Sequence, residues 1–324
     1  MEGAVATGSK WHGHASINLR TAAMTPLTSA ACSEAAQVSI NFVNLGAWKV
    51  FVLGIVQGIT ELLPISSTAH LRIVPALLGW PDPGSAFSAA MQLASLVAVL
   101  TFLWPDLTRV TREATAAFAR NNWRDHSLRM ASSIVIGTIP IGFAGLLLQK
   151  RLNQCDSPLR GIAVIGWACV VMGVLLALAE WYGQRGAGRG RRTWNGLTFA
   201  DGIYVGIAQA FALIPGVSRS GSTLTAGIAL GMERATAARF SFLLGVPAIV
   251  LAGLYELFHL RKAGLNAHGW ELLLLGLASG SAAAYVALWG LVRYLRDHTS
   301  WVFAWYRVIL GIVLLVGAAR GWLH

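Results

Sequence analysis

Apolar runs long enough to cross a bilayer recur along most of the chain, and polar residues are largely confined to the gaps between them. The runs fall at 44–63, 86–104, 131–148, 161–182, 197–214, 240–258, 270–292 and 302–322, about eight segments of transmembrane type. Each approaches the length of apolar helix that a hydrocarbon core demands. Two gaps break the rhythm. The stretch 64–85 carries Pro64, Pro75, Pro81 and Pro83 around a short apolar segment, Leu71 to Trp80, and 215–239 carries another, Leu224 to Leu230. Neither segment can cross, so both read as re-entrant, entering and leaving on one face. Irregular backbone at that depth survives only where it is buried in protein or lines a cavity.

The same order of parts occurs twice, about 150 residues apart. An apolar segment containing Gly-Ile-x-Gln (Gly54-Ile55-Val56-Gln57, then Gly206-Ile207-Ala208-Gln209) leads to a proline loop, a short segment and a new span. Pro140 and Pro247 add a weaker echo. The expectation is an all-α polytopic membrane protein built as an inverted internal repeat, with halves at about 44–182 and 197–324. Such repeats place their site where the halves meet, near mid-membrane. Residues 1–43 are small, polar and mixed, without the continuous apolar core of a signal peptide, and read as a flexible tail.

Composition agrees with the pattern: 55% of residues are hydrophobic and 12% charged, far from a soluble enzyme. The net charge of +11 has no soluble basic domain to carry it, which argues against nucleic acid and for anionic lipid headgroups as the partner. Cys32, Cys155 and Cys169 lack metal spacing and give no disulfide framework. With the N-terminus inside, the inside loops hold eleven Lys and Arg (among them Arg109, Arg112, Arg185, Arg189, Arg191 and Arg192) against nine outside. That lean puts the N-terminus inside and opens both polar loops to the outer face of the membrane. An even number of crossings between the loops is expected, since an odd number would put them on opposite faces.

The two proline loops carry the chemistry. In the first, Gln57 and Glu61 lie one helical turn apart on one face, and Pro64 is followed by Ser66, Ser67, Thr68 and His70. A serine capping the next short helix would leave its free N–H groups facing a ligand, an arrangement suited to phosphate. Taken alone, Ser-Ser-Thr is equally an ordinary helix cap, Glu61 a paired structural carboxylate and His70 a satisfied core histidine. Their clustering at membrane depth favours function. In the second loop, Pro215-Gly216 makes the turn, Ser218, Ser220, Ser222 and Thr223 supply hydroxyls, and Gly221 allows close approach. Arg219 supplies a fork matched to phosphate oxygens. Small residues also serve helix packing in membranes, but packing does not call for an arginine among them. Together the parts suit hydrolysis of a phosphoanhydride by positioning and charge stabilisation. Glu61 with the neighbouring amide of Gln57 could also hold one divalent ion, Mg or Ca, that shares the substrate phosphates. Spacing leaves open whether Glu61 binds metal or acts as a base.

At these residues the chain resembles the undecaprenyl-diphosphate phosphatases, the bacitracin-resistance membrane phosphatases. The matching text is Gln57-Gly58-x-Thr60-Glu61-x-Leu63-Pro64-x-Ser66-Ser67-Thr68-x-His70 and Pro215-Gly216-x-Ser218-Arg219-Ser220-Gly221-x-Thr223. Gln92-Leu93, Phe240-Ser241-Phe242-Leu243-Leu244 and Tyr306-Arg307 add support, and the likeness covers about 44–322. The resemblance implies hydrolysis of undecaprenyl diphosphate to the monophosphate and phosphate, recycling the lipid carrier of cell-wall synthesis. It also implies a divalent cation, a site open to the outer face and a homodimer. By the same likeness Glu61 is base or metal ligand, Ser67 and His70 are candidates for nucleophile or proton transfer, and Arg219 clamps phosphate. Position 57 is Gln where many relatives have Glu, which limits it to a neutral ligand, and Ala69 stands where Gly is common. Arg307, inside a span, reads as either functional or paired. A transporter would also use re-entrant loops, but binding alone does not require a Glu-His-Ser set. The phosphatidic-acid type of lipid phosphatase has Ser-Arg-x5-His, and no histidine follows Arg219 within seven residues here.

Overall fold

In the computed structural model, which describes residues 41–152, 161–185 and 191–322, the chain is helical nearly throughout. The helices, in order, are α1 (Ala47–Leu62), α2 (Ser67–Leu78), α3 (Ser85–Ala90), α4 (Gln92–Phe102), α5 (Trp104–Ala119) and α6 (His126–Leu152). They continue with α7 (Ile162–Arg185), α8 (Phe199–Ala210), α9 (Arg219–Ala229), α10 (Arg234–Lys262), α11 (Ala267–Asp297) and α12 (Trp301–Ala319). Among the described residues, α6, α7, α10, α11 and α12 are long and apolar enough to cross a membrane, and α3–α5, bent by 72°, makes a sixth crossing if counted as one.

The segments expected to span at 44–63 and 197–214 do not reach that length. α1 has 16 residues and α8 has 12, so at 1.5 Å per residue they cover about 24 and 18 Å of a core about 30 Å thick. The proline loops explain the difference. Leu63, before Pro64, turns to extended backbone (φ −68°, ψ 142°) because the proline ring disfavours helix in the residue ahead of it. In the second half a 3₁₀ turn, Phe211–Leu213, ends the arm before Pro215. Each re-entrant unit is therefore a hairpin of two half-length helices, α1–α2 and α8–α9, and the preceding apolar segment is one of its arms.

Counted as one crossing, α3–α5 gives three crossings between the hairpins and entry from opposite faces; counted as a re-entrant pair, it gives two and entry from one face. With either count the tips meet, because each arm runs only part-way in.

The two halves interdigitate. α1 lies along α11 of the second half, and α8 lies along α6 of the first. In lipid there is little hydrophobic drive between helices, so association depends on close backbone approach. A Cβ on Gly58 would sit 2.2 Å from the carbonyl oxygen of Gly280, and one on Gly206 would sit 2.2 Å from that of Gly137. The same device seats both hairpins.

Ion pairs fasten the helix ends. Fully buried Glu180 of α7 accepts hydrogen bonds from Arg234 and from Ser300, which precedes α12. Arg192 grips Asp201 through two bonds of 2.7 and 2.8 Å, and Arg239 pairs with Asp106. Several arginines counted as loop charge are thus structural partners. At the N-terminal side, Asn41–Asn44 form a 3₁₀ turn and Phe42 is fully buried, 5.2 Å from the Phe87 ring, so the packed chain begins a little inside the stretch assigned to the tail. The remainder of that stretch, with Cys155, Arg160 and Arg189, lies outside the described residues.

Candidate active site

The hairpin tips meet at one carboxylate. Glu61, in the last turn of α1 and 7% exposed, accepts on Oε2 from Gln57 Nε2 (2.9 Å) and Ser67 Oγ (2.6 Å). On Oε1 it accepts from Arg219 Nη2 at 3.2 Å, a contact between residues 158 apart in sequence. The two proline loops thus meet in a direct ion pair. Arg219 also donates from Nη1 to the Gly245 carbonyl of α10 at 3.2 Å, and a Cβ at Gly245 would lie 2.8 Å from that nitrogen. Of the five guanidinium N–H bonds, two are thereby used in the described structure.

Ser67 and Arg219 are each the first residue of a helix. Ser66 caps α2 by accepting from the Ala69 amide (3.4 Å), and Ser218 caps α9 by accepting from the Gly221 amide (3.1 Å). Both caps hold positive φ, 74° at Ser66 and 67° at Ser218, a conformation uncommon outside glycine and concentrated at functional sites. The caps satisfy the third amide of each helix and leave the first two, Ser67 and Thr68, then Arg219 and Ser220, without a partner among the described residues. Because Ser67 and Arg219 bond the same carboxylate, two helix N-termini with free amides converge on it, each favouring an anion.

The other expected hydroxyls are occupied. Ser220 Oγ donates to the carbonyls of Glu61 and Leu63, both at 3.0 Å, which joins the two hairpins. Ser222 and Thr223 turn back to the Arg219 carbonyl at 3.0 and 2.8 Å. Thr68 is exposed beside them. Gly221 gives room to Arg307, whose Nη1 would lie 2.6 Å from an added Cβ.

His70 takes no part in the Glu61 cluster. Its Nδ1 bonds the Ser66 carbonyl at 2.7 Å; a carbonyl can only accept, so Nδ1 carries the proton. In the neutral ring Nε2 then accepts from the Tyr306 hydroxyl at 2.6 Å. The imidazole thus ties the strained cap to α12. Tyr306 was legible only as half of a two-residue likeness, since nothing in its spacing links it to residue 70.

Arg307 resolves as a staple between the loops. Fully buried, it donates to the carbonyls of Pro64 (3.2 Å), Gly216 (2.9 Å) and Val217 (2.9 Å). No carboxylate pairs with it among the described residues, so its charge adds a positive field where the tips meet. A cation would find a limited donor set. No group of three His, Cys, Asp or Glu that could hold a metal occurs among the described residues, but Gln57 Oε1, buried beside Glu61, has no partner there.

A site built where two half-length hairpins meet, with an arginine, a serine and a carboxylate in one hydrogen-bonded set, defines an all-α membrane protein equipped to process an anion. Its lineage is specific. The chain belongs to the family described as bacitracin resistance protein BacA, whose model matches residues 50–313. It is 57% identical over 267 residues to undecaprenyl-diphosphatase 2 of Mesorhizobium japonicum, covering 82% of this chain and 99% of that protein. It is 50% identical over 274 residues to an undecaprenyl-diphosphatase of Trichormus variabilis, 84% of each chain. A Synechococcus elongatus protein of the same name is 49% identical over 282 residues, 87% of this chain and 96% of that one.

Proposed function

We propose that this protein hydrolyses undecaprenyl diphosphate to undecaprenyl phosphate and inorganic phosphate in the bacterial plasma membrane, recycling the lipid carrier of cell-wall synthesis and conferring bacitracin resistance. The observation that carries the reading is the Ser67–Glu61–Arg219 set, with contacts of 2.6 and 3.2 Å at the meeting point of two helix N-termini. The terminal phosphate enters between those N-termini and draws Arg219 from Glu61, using the N–H bonds that the resting contacts leave free. Glu61, released from its cation, takes the Ser67 proton. Ser67 Oγ attacks the terminal phosphorus, the bond to the bridging oxygen breaks, and prenyl phosphate leaves carrying the proton that Glu61 took. Water then attacks the phosphoserine, giving a proton to the freed Glu61 carboxylate, which returns it to Ser67 Oγ as inorganic phosphate leaves. Both ring nitrogens of His70 are engaged elsewhere, which favours Ser67 over His70 as nucleophile and leaves His70 to hold the Ser66 cap.

A divalent cation, Mg or Ca, fits this site only if the substrate supplies most of its ligands. Glu61 and the unpartnered Gln57 Oε1 would hold it, and bound it would neutralise charge on the diphosphate. The substrate headgroup reaches the site from the outer face. Phosphate release from prenyl diphosphates of several lengths, with and without chelator, tests the proposal. Release that a chelator abolishes is expected; no release from any prenyl diphosphate would refute it.

A further inference from the structure

An apolar groove of about 670 Å³ opens on the outside of the bundle, between α1, α11 and the start of α12. On α1 it is lined by Phe51, Ile55, Ile59 and Leu63. These are four residues apart, so they form one stripe along the helix that carries Glu61. The stripe ends at Leu63, two residues past the carboxylate, and the Leu63 carbonyl accepts the Ser220 hydroxyl inside the site. The groove and the site therefore share a residue.

The facing wall owes its concavity to small residues. Ala282, Ala283, Ala287 and Gly290 line it from α11, and a Cβ on Gly290 would meet nothing within 4 Å. α1 and α11 run parallel, since Gly54 abuts Gly276 and Gly58 abuts Gly280 and Ala284. That register sets Gly290 near the Leu63 end and Ala282 farther out, level with Ile55 and Ile59. Tyr294 and Phe303, ring centroids 5.8 Å apart, close the end by the site. The hydroxyl of Ser279 is satisfied within the wall, donating to the carbonyls of Phe51 and Gly276, both at 3.1 Å. Apart from Ser279 and the Tyr294 hydroxyl at the site end, every lining side chain is apolar, which suits a hydrocarbon occupant.

We propose that this groove seats the prenyl chain of the diphosphate substrate, with its phosphate end at Leu63 and its tail running toward Ile55 and Phe51. The inference rests on the phosphatase reading and adds to it the surface that recognises chain length. A chain laid along the stripe leaves its diphosphate at the C-terminal end of α1, where the two helix N-termini wait. Methyl branches at regular intervals along a prenyl chain suit a wall of Ala and Gly notches facing aromatic and β-branched side chains.

The test compares kcat/KM of the detergent-purified full chain on undecaprenyl diphosphate and on dimethylallyl diphosphate, whose single five-carbon unit stops short of Ala282. Ala282 is exposed, so Ala282→Phe fills the outer groove without burying a new ring in the core. It should lower kcat/KM for the undecaprenyl substrate about tenfold, as overfilling an apolar pocket does, and leave the dimethylallyl substrate unchanged. Gly290→Phe, at the site end, should lower both. An unchanged ratio of the two substrates in Ala282→Phe would show that the groove holds ordinary bilayer lipid, and would overturn the proposal. Failure of the wild type on both substrates would instead strike the phosphatase reading. A prenyl phosphate with a photoreactive tail then decides the groove separately: adducts on Ala282–Val286 or Phe51–Ile55 support it, and adducts confined elsewhere refute it.

Discussion

Arg307 and Arg219 lie at the same junction, and the geometry assigns them opposite duties. Arg307→Met separates these duties most sharply. The guanidinium makes three hydrogen bonds to backbone carbonyls of both loops, at 2.9–3.2 Å and with no exposure. Bonds from a charged donor contribute roughly 1.5–3 kcal/mol each, so their loss alone amounts to about 5–9 kcal/mol. Met fills similar volume and removes a buried charge whose desolvation costs several kcal/mol, which offsets part of that sum. The net expectation is a destabilisation on the order of 3 kcal/mol, or a melting temperature lower by about 4–5 °C for a chain of this size. Thermal unfolding in detergent, followed by tryptophan fluorescence, measures it, with phosphate release recorded on the same samples. Activity should fall with the folded fraction and with loosening of the caps. An Arg307→Met protein that melts like the wild type yet releases no phosphate would refute the staple and make Arg307 a substrate contact.

Arg219→Lys keeps the charge but not the fork; it should melt within a few degrees of the wild type and lose about 10²–10³ in kcat, the usual cost of a transition-state donor, so near-full turnover would make Arg219 structural. Gln57→Glu replaces a donor 2.9 Å from Glu61 with a second carboxylate; without a cation the two repel, so phosphate release across a Mg or Ca titration should begin lower and rise more steeply than in the wild type, and superimposable titrations would remove Gln57 from the cation site. Tyr306→Phe deletes the 2.6 Å bond to His70 Nε2; one hydrogen bond is about 1 kcal/mol, or roughly fivefold in rate, and an unchanged pH–rate profile would exclude Tyr306 as a positioning residue.

The site was more legible in the sequence than the fold around it. Glu61, Ser67 and Arg219 stand out because charge and hydroxyls are costly at membrane depth, and that cost is visible residue by residue. The half-length arms were hidden because an apolar run of 16 residues and one that crosses look alike until the proline that ends the run is weighed as a stop. The bonds that Ser222 and Thr223 make were hidden for a related reason: both have the right chemistry for a ligand, but within a helix their nearest acceptor is the carbonyl one turn back. The link between His70 and Tyr306 spans 236 residues and needs the packing of α12 against the first hairpin, which no local pattern encodes.

The most direct measurement is phosphate release from undecaprenyl diphosphate by the purified wild type, Ser67→Ala and Glu61→Gln, each with its melting curve. The wild type should release one phosphate per lipid and leave undecaprenyl phosphate. Both variants should melt near the wild type and lose at least about two orders of magnitude in turnover, since each removes a partner in the 2.6 Å Ser67–Glu61 contact. Wild-type turnover by a well-folded Ser67→Ala protein would contradict Ser67 as the nucleophile, and undiminished turnover in Glu61→Gln would contradict the site itself.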